Sequence, residues 1–469
     1  MAKRYELSDE AWDVVSDLFI HVWMVERESP NRDAFCQARE KLSCHVLAGL
    51  FHEVFATSHF VQSLGCELWG QADLGYNRQI MQDAIERSHM AIRISTMLFA
   101  ITFPGTILYY VAVSKHLIPP ISSGYFGLMC IVSLLLALPS YAYDALKTGR
   151  LQITDLSFFL FLLFFAMIVF WHGAQSSDKS LMSWHLVSIA QSVAVFLLCK
   201  RAFTNSDKIS SVIAIGWLLA SLCIMTVTVD GRFSLRETAD DVGAIPSYQT
   251  FALCYMITSV FLAKTIDSRK LRYIVHSVSL ICLYLNSARS EFAGYLFFLG
   301  VLEFLSYRNK STPIIVASIV ITISFVAIVT GSVKLPESRI TALANLNSDN
   351  SSNERDRMAR EGLDKIFNSP IIGAYGQYEE GGYIHNIMSV WQETGILGAI
   401  FFISILSAPT AMSIAKVLKR RSYHDTHVAL SLLLTAILLL VAGKYFTYLL
   451  VPAALAVYST TRNQTRVLG

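Results

Sequence analysis

Apolar and polar positions alternate along the chain in long blocks. From about residue 92 onward, apolar runs of about 15 to 25 residues are separated by short polar breaks. Runs of this length match helices that cross a bilayer, whereas barrel strands are shorter and alternate residue by residue. Twelve spans are predicted, at about 92–113, 120–142, 156–172, 184–199, 210–229, 247–263, 273–288, 291–306, 313–332, 386–411, 427–443 and 445–459. Two pairs of spans are divided only by tight polar turns, around Arg289 and around Lys444. The fold expected is all-α, a polytopic membrane protein of about 12 transmembrane helices with one larger loop at 333–384.

Composition agrees with this pattern. The 469 residues are 54% hydrophobic and only 16% charged, where a soluble domain carries roughly a quarter. Charge sets the orientation. With residue 91 inside and the spans alternating, the short inside loops hold fifteen Lys or Arg and the short outside loops six. Positive residues favour the cytoplasmic side, so both termini are expected in the cytoplasm and loop 333–384 outside. Arg232, Arg236 and Arg289 then lie on the outer side, where the bias disfavours them.

Residues 1–90 are a different material, with 8 Lys+Arg against 14 Asp+Glu, and no strongly apolar run or signal peptide precedes residue 92. The stretch "MAKRYELSDEAWDVVSDLF" resembles the opening of one kind of insertion-sequence transposase. "PNRDAFCQAREKLSCHVLAGLFHEVFA" resembles the N-terminal helical region of another. Neither reaches a catalytic acidic triad. Residues 1–90 are read as a cytoplasmic segment, a transposase-like remnant fused ahead of a membrane domain at 91–469 whose own start lies near Met90. The alternative is a small helical cytoplasmic domain. Eight cysteines form no CxxC or Cys/His metal spacing. No metal or cofactor is expected.

Three outer segments carry groups capable of chemistry. In "IHNIMSVWQETGILG", read as a helix, His385, Ser389, Gln392 and Glu393 share one face, and Gly395 and Gly398 admit a neighbouring helix. His385 is either a base at the interface or an anchor for the helix. In "LNSARSEFAGYLFFL", Arg289 is either paired with Glu291 at the surface or used, since an arginine at this depth is costly otherwise. In "VDGRFSLRETADD", Arg232 and Arg236 open an outer loop, and Arg236 reads as a solvated surface residue. Within loop 333–384, "SSNERDRMAREGLDKIFNSP" predicts a helix capped by Ser352 or Asn353 and stopped by Pro370. Arginines on several outer elements suit a diphosphate, which their planar forks grip while staying charged. A histidine beside them could take the proton of an attacking hydroxyl.

These residues carry a family resemblance. "NSPIIGAYGQYEEGGYIHNIMSVWQETGILGAIFF" resembles the signature of the O-antigen ligase/polymerase superfamily, with Pro370, Gly373, Gly376, His385, Asn386, Glu393, Gly395 and Gly398 matching in order. "SARSEF" resembles the family's Ser-Arg turn, with Arg289 as the match. "GRFS…IPSYQTFAL" resembles its Gly-Arg segment, with Arg232 as the match and "AIPSY" standing where the family has Asn-Pro. Arg355 matches the arginine opening the loop helix, with Arg357 one register away. The resemblance spans about residues 92–460. It implies an inverting, metal-independent glycosyltransferase of the bacterial inner membrane, acting on the periplasmic face. The donor would be a glycan on undecaprenyl diphosphate, and the acceptor another glycan or lipid A-core. It implies catalytic roles for His385 and Arg289 and substrate binding by Arg232, Arg355, Asn386 and Glu393. Membrane lipids are the surroundings, and nucleic acid is not a partner.

Within that class a repeat-unit polymerase is favoured over a ligase. Transposase-like remnants suit recombining gene clusters, and the outer loop is short for gripping a large core acceptor. A polysaccharide transporter or flippase is the more distant alternative. It predicts ionisable residues near mid-membrane, and His276 and Glu303 both read as lying near cytoplasmic ends.

Overall fold

The computed structural model describes residues 74–121, 124–148, 152–175, 179–204, 210–228, 232–233, 235, 245–266, 268–307, 350–378, 382–419 and 424–467. The expected span at 313–332, Arg236 and the transposase-like stretches lie outside the described residues. The chain divides into two compact units, Val15–Met90 and the remainder. The apolar helices belong to the second.

Twelve helices are described: α1 (Leu74–Ser114), α2 (Tyr125–Thr148), α3 (Ile153–Gln175), α4 (Ser180–Thr204), α5 (Ser210–Thr226), α6 (Tyr248–Thr265), α7 (Arg269–Leu285), α8 (Arg289–Ser306), α9 (Asn350–Asn368), α10 (Met388–Leu418), α11 (His424–Ala442) and α12 (Leu450–Val467). Among the described residues six helical stretches are long and apolar enough to cross a membrane: Ile94–Ser114, Tyr125–Tyr143, Ile153–Gly173, Ser180–Thr204, Met388–Leu418 and His424–Ala442. Two shorter apolar helices, Ser211–Thr226 and Leu450–Thr461, accompany them.

The apolar residues point both ways. On α3, Leu156, Leu160, Leu163, Met167 and Phe170 are exposed, while Phe158, Phe161, Phe165 and Val169 are buried. A soluble helix turns such an exposed stripe inward, so this one faces lipid. Together with the six apolar stretches, it makes the chain a multi-pass helical membrane protein.

The interior follows from small and polar residues on facing helices. α4 packs against α2, α3 and α12, and α11 against α6, α8, α10 and α12. α6 lies in the middle, touching α5, α7, α8, α11 and α12, and is buried on every side from Phe251 to Lys264. Hydroxyls inside the apolar helices return their protons to their own backbone: Ser192 to Ser188 O at 2.8 Å, Thr258 to Cys254 O at 2.8 Å, and Thr435 to Ser431 O at 2.7 Å. That removes the cost of an unbonded donor in hydrocarbon. At one end of the bundle the buried Asp155 pairs with Lys200 and accepts from Tyr141 Oη at 2.7 Å and Ser459 Oγ at 2.6 Å. One carboxylate thereby ties together α2, α3, α4 and α12.

Three local expectations need correction. α9 begins at Asn350, so Ser352 and Asn353 lie inside its first turn rather than capping it. Its end at Asn368, just ahead of Pro370, is where the proline places it. α12 begins at Leu450 rather than near 445, because Lys444, Tyr445 and Phe446 are drawn into the interior as a loop. Finally, α10 begins at Met388, so His385 stands in the turn before the helix and not on its face.

Candidate functional site

The site is built on an interruption of α10. Gly395 has φ 69° and ψ −176°, which no helix accommodates. In an unbroken helix the Ile396 N–H would donate to Gln392 O. Here it donates to Pro370 O at 3.0 Å, and Gln392 O accepts from Ala374 N–H at 2.6 Å. The loop after α9 therefore satisfies the backbone groups that the break releases. Trp391 Nε1 adds a bond to Pro370 O at 2.9 Å. The approach is closest at two glycines. A Cβ on Gly373 (φ 85°) would lie 2.6 Å from Gly395 N, and one on Gly395 would lie 2.0 Å from Ile371 O. Gly395 thus admits a loop rather than the neighbouring helix expected of it. Gly398 admits its own Thr394 side chain, 2.1 Å from its Cβ position, and Phe164 of α3, 2.9 Å away.

Above this clasp sits the His385 turn. Asn386 Oδ1 accepts the Met388 N–H at 2.8 Å and so opens α10. Gln392 Oε1 accepts the Ile384 N–H at 3.1 Å, and Ser389 Oγ accepts the Phe446 N–H at 3.2 Å. The polar head of the helix thus holds two backbones in place, its own turn and the loop between α11 and α12. Tyr383 packs between the His385 and Tyr445 rings, 4.5 Å from each. Neither ring nitrogen of His385 makes a hydrogen bond among the described residues. Burial, then the Arg355 guanidinium and then the Lys444 ammonium, pulls its pKa down to about 4, so the imidazole is neutral at pH 7.

Glu393 is completely buried one layer below. The Tyr378 and Tyr445 hydroxyls and the Gly376 amide face its carboxylate, although neither oxygen makes a hydrogen bond of normal geometry among the described residues. Burial, then the Glu393 charge, raises both tyrosine hydroxyls well above the ordinary value. His185 of α4 completes the array. Its Nδ1 meets Tyr375 Oη at 2.8 Å and its Nε2 meets Tyr445 Oη at 2.9 Å.

Of the two candidate loop arginines, Arg355 is the one at the site. A Cβ on Gly443 (φ 145°) would lie 3.4 Å from His385 O and 3.5 Å from Arg355 Nη1. Arg357 is taken up on the exposed face of α9 by Glu354 and by Glu361, the latter at 2.6 Å. Arg357→Ala is therefore expected to leave ligand binding and activity unchanged, whereas Arg355→Ala weakens anion binding. Equilibrium binding of inorganic pyrophosphate to the purified protein separates the two, and equal losses would remove Arg355 from the site.

Lys444 joins the His385 turn to the Arg289 turn. Its ammonium lies 2.6 Å from Glu291 Oε1 and 3.1 Å from Gln249 Oε1, over the Tyr448 ring. Glu291 also accepts from Tyr448 Oη at 3.0 Å and from Ser290 Oγ at 2.8 Å. Glu291, which one of the two readings of Arg289 paired with it at the surface, is instead buried and paired with Lys444. Arg289 opens α8 behind Ser287, whose φ of 60° is unusual for a non-glycine residue. The Phe233 N–H donates to Leu285 O at 2.8 Å, which brings the Arg232 segment against the Arg289 turn. The structure thus gathers His385, Asn386 and Arg355 at Gly443. It brings the Arg232 segment against the Arg289 turn through the Phe233–Leu285 backbone bond, and Lys444 reaches that turn at Glu291.

Sequence reasoning gave no site role to Lys444, Tyr445 or His185. "VAGKYFTY" signals the first two only as a lysine and aromatics between apolar runs. His185 gives no signal, because its partners are 190 and 260 residues away. No His/Cys/Asp/Glu group suited to a metal occurs among the described residues. No family model, curated protein or solved structure matches the chain. Fold and site define a multi-pass helical membrane protein with a cationic histidine site at one end of its bundle.

Proposed function

We propose that this protein is an inverting glycosyltransferase of the bacterial inner membrane. It moves a glycan from undecaprenyl diphosphate to an acceptor hydroxyl on the periplasmic face, as a repeat-unit polymerase with about twelve spans and both termini cytoplasmic. The observation that carries the reading is His385, neutral and with both ring nitrogens unbonded among the described residues, set between Arg355 and Lys444. His385 accepts the proton of the attacking hydroxyl. Arg355 and Lys444 beside it, and Arg289 at the linked turn, receive the negative charge that grows on the departing diphosphate.

The test is product formation. Purified protein given only undecaprenyl-diphosphate repeat units makes a ladder of longer lipid-linked chains without added divalent metal. Transfer only after lipid A-core is added would make it a ligase. A ladder abolished by chelator and restored by magnesium would overturn the cation-based account.

Arg289 tests geometry against charge. A fork making two parallel hydrogen bonds is not replaced by a lysine, so Arg289→Lys and Arg289→Ala both lose donor binding and ladder formation. Full activity of Arg289→Lys would leave only a point-charge role.

The pH profile follows from the environment of His385. A base must be neutral, and its neutral fraction falls as pH drops through its pKa. The acid limb of kcat/KM, which reports the free enzyme, therefore falls near pH 4 instead of near the ordinary value of about 6.5. The bound diphosphate offsets the two cations and raises the histidine pKa, so the limb of kcat lies at higher pH. Lys444→Met moves the kcat/KM limb upward. A limb unmoved by that change would separate Lys444 from His385.

A further inference from the structure

A second polar feature runs through the bundle away from the histidine site. It begins at Glu303 near the end of α8. Its carboxylate is held by Arg272 Nε at 2.9 Å and Tyr273 Oη at 3.1 Å, and Tyr273, which is exposed, bonds in turn to Tyr307. His276 comes next, buried one turn along α7. Its Nε2 makes no hydrogen bond among the described residues and lies 4.0 Å from Glu303 Oε1. Its Nδ1 meets Tyr295 Oη at 2.8 Å.

From there the chain of groups continues inward. The Tyr295 hydroxyl faces those of Ser279 and Ser259, which are 2.9 Å apart. Tyr255 faces Ser279, Cys282 and Ser221, the last at 2.7 Å. One turn beyond Cys282 is Asn286, buried, with neither amide atom hydrogen-bonded among the described residues. It ends α7 beside the Arg289 turn. From Arg272 to Asn286 the helix rises about 21 Å, a large part of a hydrocarbon core of about 30 Å.

We infer that Glu303, His276, Tyr295, Ser279, Tyr255 and Ser221 form a proton relay through the interior of α5–α8. Two features set this row apart from ordinary helix glue. Ser192 and Thr435 close only onto their own backbone, and within the row Ser221 and Ser259 bond to theirs as well, to Trp217 O at 2.7 Å and Tyr255 O at 2.9 Å. Here the Tyr295 and Tyr255 hydroxyls and the His276 ring face other side chains. In addition, each hydroxyl and the imidazole can accept a proton on one side and release one on the other.

The transfer balances at every step. A proton taken up by the Glu303 carboxylate passes to His276 Nε2, and the proton on Nδ1 passes to the Tyr295 oxygen. The Tyr295 proton moves to Ser279, that of Ser279 to Tyr255 and that of Tyr255 to Ser221. Ser221 releases its own proton toward Cys282, which it faces, so each O–H or N–H bond broken is matched by one formed, with one proton taken up at Glu303 and one released at the Cys282–Asn286 end. Arg272 stays charged throughout as the counter-ion of Glu303. Charged groups facing His276 are Arg272 and Glu303 alone among the described residues. The relay places ionisable chemistry inside the spans, and it does not depend on the glycan reading.

The test uses the full chain in phosphatidylethanolamine–phosphatidylglycerol vesicles with pyranine inside and a valinomycin-imposed potassium potential. Wild-type vesicles change internal pH several-fold faster than protein-free ones. Tyr295→Phe and Tyr255→Phe, which keep the ring and remove the relaying hydroxyl, lose the protein-dependent flux. Thr106→Val, at a buried hydroxyl bonded to its own backbone outside the row, retains it. His276→Phe also loses it, and size-exclusion elution of each variant with the wild type identifies properly folded protein. Wild-type flux equal to lipid leak, or full flux in both tyrosine variants, would overturn the relay and leave the row as packing alone.

Discussion

On the proposed function, His385→Ala is expected to insert into the membrane at wild-type levels and to lose product formation by on the order of a hundredfold or more, the range for removing a general base. The structure explains why the loss is chemical and not structural. The turn is held by backbone bonds to Gln392 Oε1 and Asn386 Oδ1, and the imidazole nitrogens contribute none among the described residues. Removing the ring forfeits the Tyr383 contact at 4.5 Å but leaves the turn anchored. Donor binding survives, because Arg355, Lys444 and Arg289 are untouched. The measurement is the rate of ladder formation alongside donor affinity on the same preparation. Wild-type rates would return His385 to the role of a helix anchor.

Gly395→Ala gives the largest loss of stability. A backbone at φ 69° and ψ −176° lies in a region held almost only by glycine and costs another residue about 1–3 kcal/mol, but the greater part comes from crowding. The new Cβ would lie 2.0 Å from Ile371 O and 2.6 Å from Ile371 C, and these are backbone atoms with no rotamer to change. Moving them breaks the Ile396–Pro370 and Ala374–Gln392 bonds that satisfy the interrupted helix. The combined cost is about 4 kcal/mol or more, the range where single substitutions are exceptional. Gly300→Ala in α8 is the control, since nothing lies within 4 Å of its Cβ position. Apparent melting in detergent at a fixed scan rate compares them. Equal midpoints would mean that the loop yields without loss.

Six of the expected spans were legible because their signal is local and long. The polar break at Arg289 does divide two helices, whereas beyond Lys444 the last helix starts five residues later than the pattern implies. The His-Asn segment was legible as a site but not as a shape. His385, Ser389, Gln392 and Glu393 have helical spacing, yet the Asn386 side chain starts the helix three residues late and Gly395 interrupts it. Short-range propensity won over periodicity there. The Lys444–Glu291 pair was hidden for another reason. Arg289 and Glu291 are near neighbours on one turn and invite pairing, whereas Lys444 lies 153 positions from Glu291 and becomes its partner only through the packing of α8 on α11. His185 shows the same limit, because a histidine in an apolar run declares nothing until its two tyrosines arrive from elsewhere.

The central position of α6 bears on how the protein is made. A segment entering the bilayer from the ribosome is judged first on its own hydropathy against lipid. α6 is not among the helices apolar enough to cross unaided, and from Phe251 to Lys264 it offers lipid no face at all in the finished protein. It must therefore enter in company. The shorter apolar α5 precedes it and packs on it, and α7 and α8 follow. Biogenesis then runs in two stages: the strongly apolar helices settle as each emerges, and α6 is carried in as cargo between partners whose polar faces it will cover. A chain truncated directly after α6 is expected to integrate less completely than one extended through α8, as read by resistance to alkaline extraction.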